Sequence, residues 1–351
     1  MRWHDRLLVG GLLTLLAFGM LAMISASATV NPVLRWRHAI WLAIGLAAYG
    51  AASLANYRRW LHLAVVAYVL SVGCLTLVPV LGATRLGATR WLSVFGFSVQ
   101  PSEIAKLATV WLLAQYLAGR PRPLPSRAFW VSLVLAGAPA GLVFLQPDLG
   151  SATVFMAIWL GMVWVAGVPG RLLGGLAALG LACLPLVWHV LKDYQRDRLL
   201  VFVNPHADPL GAGYTIIQST IAIGSGRLWG KGWFAGTQNQ LSFLPERHSD
   251  FIFSVIGEEW GFVGCAAVVA AFVVILARVL RIGLRAPEPQ GRLLAIGMAS
   301  WIGYQAVINM GMVMGLLPVV GVPLPFLSYG GSSMVVLLLG LGLVQSVQRT
   351  D

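Results

Sequence analysis

The sequence has 351 residues, 58% of them hydrophobic and 10% charged, with a mean hydropathy of +0.81 and a net charge of +12. Soluble domains carry about 25% charged residues, so this composition excludes a water-soluble fold and requires the bilayer as solvent. A basic balance that would suggest nucleic acid in a soluble protein is here loop arginine beside apolar runs, which is a topology signal. Cys74, Cys183 and Cys265 lie far apart in apolar runs, without a CxxC or Cys/His cluster, and support neither a zinc site nor a disulfide framework.

The first apolar run follows Arg2 and Arg6. Leu7 to Ile24 is uncharged and exceeds the core of about 7–15 residues typical of a signal peptide, so it reads as an uncleaved span despite the Ala26-Ser27-Ala28 triplet. Ten such segments follow one another, at approximately 7–28, 38–55, 61–81, 103–118, 128–145, 150–167, 171–191, 251–280, 292–315 and 329–347. Spans need roughly 20 apolar residues, and barrel-type alternation is absent. The expectation is an all-α polytopic membrane protein of about ten transmembrane helices, folded as one domain over 1–351.

Orientation follows from the short loops. With the N-terminus inside, the inner loops hold Arg58, Arg59, Arg120, Arg122, Arg127, Arg171, Arg278, Arg281, Arg285 and Arg292, and the outer ones only Arg35, Arg37, Arg85 and Arg90. Both termini are then cytoplasmic. Of the acids, Asp5, Glu288 and Asp351 fall inside. Glu103, Asp148, Asp193, Asp197, Asp208, Glu246 and Asp250 fall outside. The one long loop, 192–250, lies between helices 7 and 8 on the extracytoplasmic side. Within it, 213–223 places Tyr214, Ile217 and Ile221 on one helical face, which suits a short helix on the membrane surface or one packed on the bundle. No repeat relates the halves, which disfavours an inverted-repeat transporter.

The outer charges are the candidate site residues, and each has a structural reading beside the functional one. Arg90 precedes Trp91: an interfacial anchor, or a diphosphate ligand. Glu103 and Lys106, at i and i+3 after Pro101, make a helical ion pair or present a cation to an anionic head group. Asp148, in a Gln-Pro-Asp turn, suits an N-cap of the sixth span. Arg196, Arg198, Lys231 and Arg247 read by default as solvated loop charges. Asp250 precedes the eighth span: an N-cap or first-turn carboxylate, or a general base whose pKa burial and Glu246 would raise. Glu258 shares the face of Asp250 and Ser254, with Gly257, Gly261 and Gly264 as small surfaces for a neighbouring helix. It is a structural acid or a site residue. The Pro- and Gly-rich stretch from Pro318 to Ser333, which contains Ser328, is broken backbone that caps a helix or walls a wet cavity. Together these residues describe an outward-facing polar cavity suited to a lipid-linked anionic substrate.

Long stretches of the chain resemble the SEDS family (shape, elongation, division and sporulation), and within it the RodA branch. They are RWLSVFGFSVQPSEIAKLA at 90–108, QPDLGSA at 146–152, RDRLLVFVNPHADPLGAGYTIIQSTIAIGSGRLWGKG at 196–232, GTQNQLSFLPERHSDFIFSVIGEEWGFVG at 236–264 and NMGMVMGLLPVVGVPLPFLSYGGSSM at 309–334. Ser249 and Trp260 are local departures, where the family commonly has threonine and leucine or phenylalanine.

The resemblance implies a peptidoglycan glycosyltransferase of the bacterial cytoplasmic membrane that polymerises lipid II into β-1,4 glycan strands at its outer face for cell elongation. The partners implied are a class B penicillin-binding protein and other membrane proteins of the elongation complex; nucleic acid is not among them. The family's key aspartate falls on Asp250, and its other motif residues fall on Glu103, Lys106 and Asp148. On this basis Asp250 is the expected base. Lys106, Glu103, Arg90, Asp148, Arg198, Glu246, Glu258 and Ser328 are the expected substrate-binding residues. A divalent cation, Mg2+ or Mn2+, is the only cofactor considered. A lipid II flippase and a non-catalytic scaffold of the cell-wall complex are the alternatives.

Overall fold

Inside a bilayer the backbone has no water to bond, so an apolar chain crosses it as helices that satisfy their own amides and carbonyls. The computed structural model describes residues 5–28, 33–85, 88–94, 97–191, 193–205, 208–211 and 213–350, and they form such a bundle. In chain order come α1 (Arg6–Ser27), α2 (Val33–Leu54), α3 (Tyr57–His62), α4 (Ala64–Leu81), then strands β1 (Ala83–Arg85), β2 (Ala88–Val94) and β3 (Phe97–Val99). They are followed by α5 (Pro101–Ala118), α6 (Ser126–Leu145), α7 (Leu149–Val165), α8 (Gly170–Val190), α9 (Asp193–Val203), α10 (Tyr214–Ser225) and α11 (Thr237–Gln240). The chain closes with α12 (Ile252–Arg285), α13 (Pro289–Val313) and α14 (Gly331–Thr350). Arg2 and Asp351, read above as flanking charges, lie outside the described residues.

Each of the ten apolar segments coincides with a helix of 17 residues or more. Among the described residues five helices, α1, α6, α12, α13 and α14, are long and apolar enough to cross a membrane, and α4, α7 and α8 are apolar over shorter stretches. The protein is a helical, polytopic membrane protein. α5, α13 and α14 form its centre, and most of their residues are buried. α14 lies along α2, α1 along α12, and α13 against α5, α7 and α12.

Three local features depart from a plain bundle. The connection between α4 and α5 is an antiparallel meander in the order β1-β2-β3, pairing Thr84 with Thr89 and Leu92 with Val99. No strand is expected there from apolar patterning, because the segment is short and turn-rich. The long loop contains α9, α10 and α11. α10 packs on the bundle by Ile216, Ser219 and Ala222, and the Ser219 hydroxyl donates to the Val313 carbonyl at 2.6 Å. The face of Tyr214, Ile217 and Ile221 is the outer one. Finally, α12 is broken at Gly261, whose φ of 64° no β-carbon-bearing residue adopts without strain.

The break has a cause. The turn 226–232 enters it, with the amides of Phe262 and Val263 donating to Arg227 and Leu228 and those of Lys231 and Gly232 donating to Glu258 and Glu259. A β-carbon on Gly261 would sit 2.3 Å from the Gly230 nitrogen. Gly261 therefore admits a loop rather than a neighbouring helix.

At one end of the bundle Asp5 caps α1 and pairs with Arg278 at 2.5 Å, while Glu288 pairs with Arg58 at 2.5 Å and accepts from the Tyr57 hydroxyl. The opposite end gathers the start of α2, the meander, the heads of α5 and α7, the 192–250 segment and the 318–333 stretch.

Candidate active site

That opposite end is hollow. A cavity of about 920 Å³ opens there, walled by α2, the meander, the α6–α7 turn, α9, residues 246–250 and the 318–333 stretch. Such irregular backbone is tolerated at membrane depth because it is buried in protein or lines the cavity.

Asp250 lies on the cavity wall with only a small accessible face. It does not cap α12: the N-cap is Phe251, without a side-chain capping bond. A tight turn holds it, in which the Glu246 carbonyl receives the amides of Ser249 and Asp250 at 3.1 Å each. Glu246 itself adopts a left-handed φ of 47°. Burial first, then the Glu246 carboxylate, pushes the Asp250 carboxyl up to about 6; Arg198 and Arg90 oppose the push and Asp148 adds to it. No capping bond to α12 offsets that push.

Three arginines, Arg37, Arg90 and Arg198, face the same cavity. Arg90 donates to the carbonyls of Gln146 (3.1 Å) and Pro147 and lies 3.8 Å from an Asp148 oxygen. Asp148 is the N-cap of α7 expected from its turn, accepting the Ser151 amide at 3.1 Å, and it also accepts from the Gln100 side chain at 3.2 Å. Arg198 Nη1 donates to the Val319 carbonyl at 3.4 Å. Asp250 and Arg198 flank one point in the wall: a β-carbon on Gly321 would lie 3.4 Å from Asp250 Oδ2 and 4.0 Å from Arg198 Nη1.

The cavity thus brings together Arg90, Asp148, Arg198, Glu246 and Asp250. Four other expected residues lie elsewhere. Glu103 and Lys106 form a fully buried ion pair of 2.6 Å, with Lys106 over the Trp301 ring at 5.3 Å. Glu258 sits at the break in α12, pairing with Lys231 at 2.8 Å and accepting the amides of Gln238 and Asn239 at the head of α11. Ser328 donates to the Ser249 carbonyl at 2.6 Å and accepts the Leu324 amide at 2.8 Å, behind the wall.

Of the cations expected as solvated, Lys231 is exposed but paired, and Arg247 is not solvated. Lys231 is the partner of Glu258, and Arg247 is buried, donating to the carbonyls of Ala26 (3.1 Å) and Asn239. Arg196 instead closes the end of α8, donating to Trp188 and His189 carbonyls.

The cavity also contains residues to which no role was attached from sequence. Arg37 and Trp41 come from α2 and Gln195 from α9. His248 lies 3.8 Å from Glu246 and packs edge-on to Tyr329, and burial lowers its pKa. The signal for His248 was its place two residues before Asp250. For Arg37, an arginine in the loop just before a span was equally a topology mark. Among the described residues no three His, Cys, Asp or Glu side chains converge as metal ligands. The donor set does not fit a protein-held divalent cation, and no step is assigned to one.

Comparison with known proteins agrees with this architecture. The family model for FtsW, RodA and SpoVE, described as cell cycle protein, matches residues 5–351. Peptidoglycan glycosyltransferase MrdB of Escherichia coli K12 is 44% identical over 292 residues, 83% of this chain and 78% of MrdB. A chain of a solved peptidoglycan synthase complex that coordinates polymerization and crosslinking is 38% identical, with a TM-score of 0.86 over 99% of this chain and 98% of that one. The rod shape determining protein RodA of Thermus thermophilus is 34% identical, with a TM-score of 0.74 over 99% and 97% of the two chains. The chain belongs to the FtsW/RodA/SpoVE family of cell cycle proteins.

Proposed function

We propose that this chain is a peptidoglycan glycosyltransferase of the cytoplasmic membrane. It polymerises lipid II at the outer face for cell elongation, beside a class B penicillin-binding protein that crosslinks the product. The relatives carry the names of that activity, and the synthase-complex neighbour joins polymerization to crosslinking. Arginine-rich loops on the end opposite the cavity support an outward cavity, with both termini cytoplasmic.

The observation that carries the reading is Asp250: an uncapped carboxylate with a raised pKa, set in a wall shared with Arg90, Arg198 and Arg37. The Asp250 carboxylate takes the proton from the 4-hydroxyl of a GlcNAc acceptor. That oxygen bonds to C1 of a lipid-linked MurNAc, and the C1–O bond to the diphosphate breaks with its electron pair on the leaving group. One in-line displacement inverts the α-linked donor to a β-1,4 product. Diphosphate is a weak base, so the leaving group needs positive charge more than a proton, and the arginines supply it.

Purified chain and partner in proteoliposomes, given fluorescent lipid II, test the reading. Glycan polymer without transbilayer movement of lipid II is the expected result. Movement without polymer would replace synthesis by transport. Polymer formed equally with an inactive cavity would leave the chain a scaffold.

A further inference from the structure

Asn309, near the outer end of α13, is fully buried and does not line the cavity. An amide in an apolar interior is costly unless its hydrogen bonds are met. Its Nδ2 donates to two carbonyls at once, Asp250 O at 2.8 Å and Val322 O at 2.7 Å. Both neighbours are acceptors, so only the NH2 end can face them. Its Oδ1 is buried with no partner among the described residues, so the residue is held by its donor end alone.

The two carbonyls belong to segments far apart in the chain. One is that of Asp250 itself. The other adjoins Gly321, whose φ of 70° and missing side chain leave space beside the Asp250 carboxylate and Arg198. One residue before Asp250, the Ser328 hydroxyl ties the Ser249 carbonyl to the same stretch. The turn carrying Asp250 therefore has its position fixed from outside its own segment.

We propose that Asn309 is a positioning residue for glycosyl transfer: its amide ties the Asp250 carbonyl to the Val322 carbonyl and holds the Asp250 carboxylate facing the space at Gly321, where the acceptor hydroxyl enters. The inference rests on Asp250 being the base. Asn309 touches no substrate and acts only through that carboxylate. Displacing a reacting group by about 1 Å costs on the order of 100-fold in rate without abolishing substrate binding.

The test uses the full chain with its penicillin-binding protein partner and lipid II, comparing Asn309→Ala and Asn309→Ser with the wild type and with Asp250→Asn. Serine keeps one donor and leaves less unpaired, so it provides a folded variant where alanine does not. The turnover number is expected to fall on the order of 100-fold in alanine and less in serine, with the KM for lipid II held within about threefold. The acid limb of kcat/KM against pH is expected to move to lower pH, because a released carboxylate turns toward water. The charged groups facing it are Glu246 in its own segment, Arg198 from α9, Asp148 at the head of α7 and Arg90 from β2, with His248 and Arg37 also on the cavity. None of them is altered.

The midpoint of that limb belongs to folded molecules only. Activity lost merely in proportion to folded protein, with the midpoint unmoved, overturns the proposal; so does wild-type turnover. Wild-type polymerisation by Asp250→Asn would instead remove the base assignment itself. An inactive Asp250→Asn beside unaffected Asn309 variants refutes only the positioning role.

Discussion

With Asp250 as the proposed base, its ionisation ties rate to pH. Its carboxyl is pushed to about 6 by burial and Glu246, and a base works only when deprotonated. kcat/KM for polymerisation is therefore expected to fall about tenfold per pH unit below about 6. Glu246→Gln removes a like charge and should shift that limb to lower pH, measurable by initial rates between pH 4.5 and 8 in buffers of about equal ionic strength. Stability follows the opposite sense. The folded pKa lies above the ordinary 3.8, so ionised Asp250 disfavours the fold increasingly as pH rises from 3.8 to about 6. At neutral pH, Asp250→Asn should melt no lower than wild type, which thermal unfolding in detergent checks. A capping aspartate would give the reverse, a loss of about 1 kcal/mol. From sequence, both roles fit Asp250, since position before an apolar run is common to caps and to boundary bases. What separates them is the absence of a bond to α12 and the approach of Gly321 and Arg198, which depend on segments distant in the chain.

Helices of this bundle were legible one by one because each apolar run ends sharply in charge or Gly/Pro. Their facing sides were not. Lipid is as apolar as a protein core, so a membrane helix carries little amphipathic signal about which side meets its neighbours. Glu103 and Lys106 illustrate this: i and i+3 spacing predicts their pairing, yet only packing of α5 against α13 shows the pair sealed under Trp301. Breaking a buried pair strands a charge. Lys106→Met alone should cost about 3–5 kcal/mol, while Glu103→Leu with Lys106→Met should recover most of it. Denaturant-dependent unfolding of the two variants measures the difference. The break in α12 was equally hidden, because glycine in a span is commonplace and, of the glycines inside α12, only Gly261 leaves the helical conformation. Gly261→Ala combines that strain with a clash against Gly230, so it should destabilise by more than 1 kcal/mol, with proteolysis of the 226–243 segment as the readout.

At the level of the whole molecule, composition alone required a membrane, and arginine placement gave its two sides. The cavity is a product of assembly. Arg37, Arg90, Asp148, Arg198 and Asp250 come from five separate parts of the chain and meet only because the long helices stack with several irregular connections at one end. The small sheet and α9 complete the wall, and neither announces itself in hydropathy. The arrangement puts a buried carboxylate and a cation-lined wall in one pocket, which the proposed polymerase needs and a scaffold does not. The direct measurement is glycan polymer formed from lipid II by purified Asp250→Asn with its penicillin-binding protein partner, scored beside wild type at equal folded protein. Loss of polymer with the melting temperature retained is the predicted result. Polymer at the wild-type rate would contradict a base at residue 250.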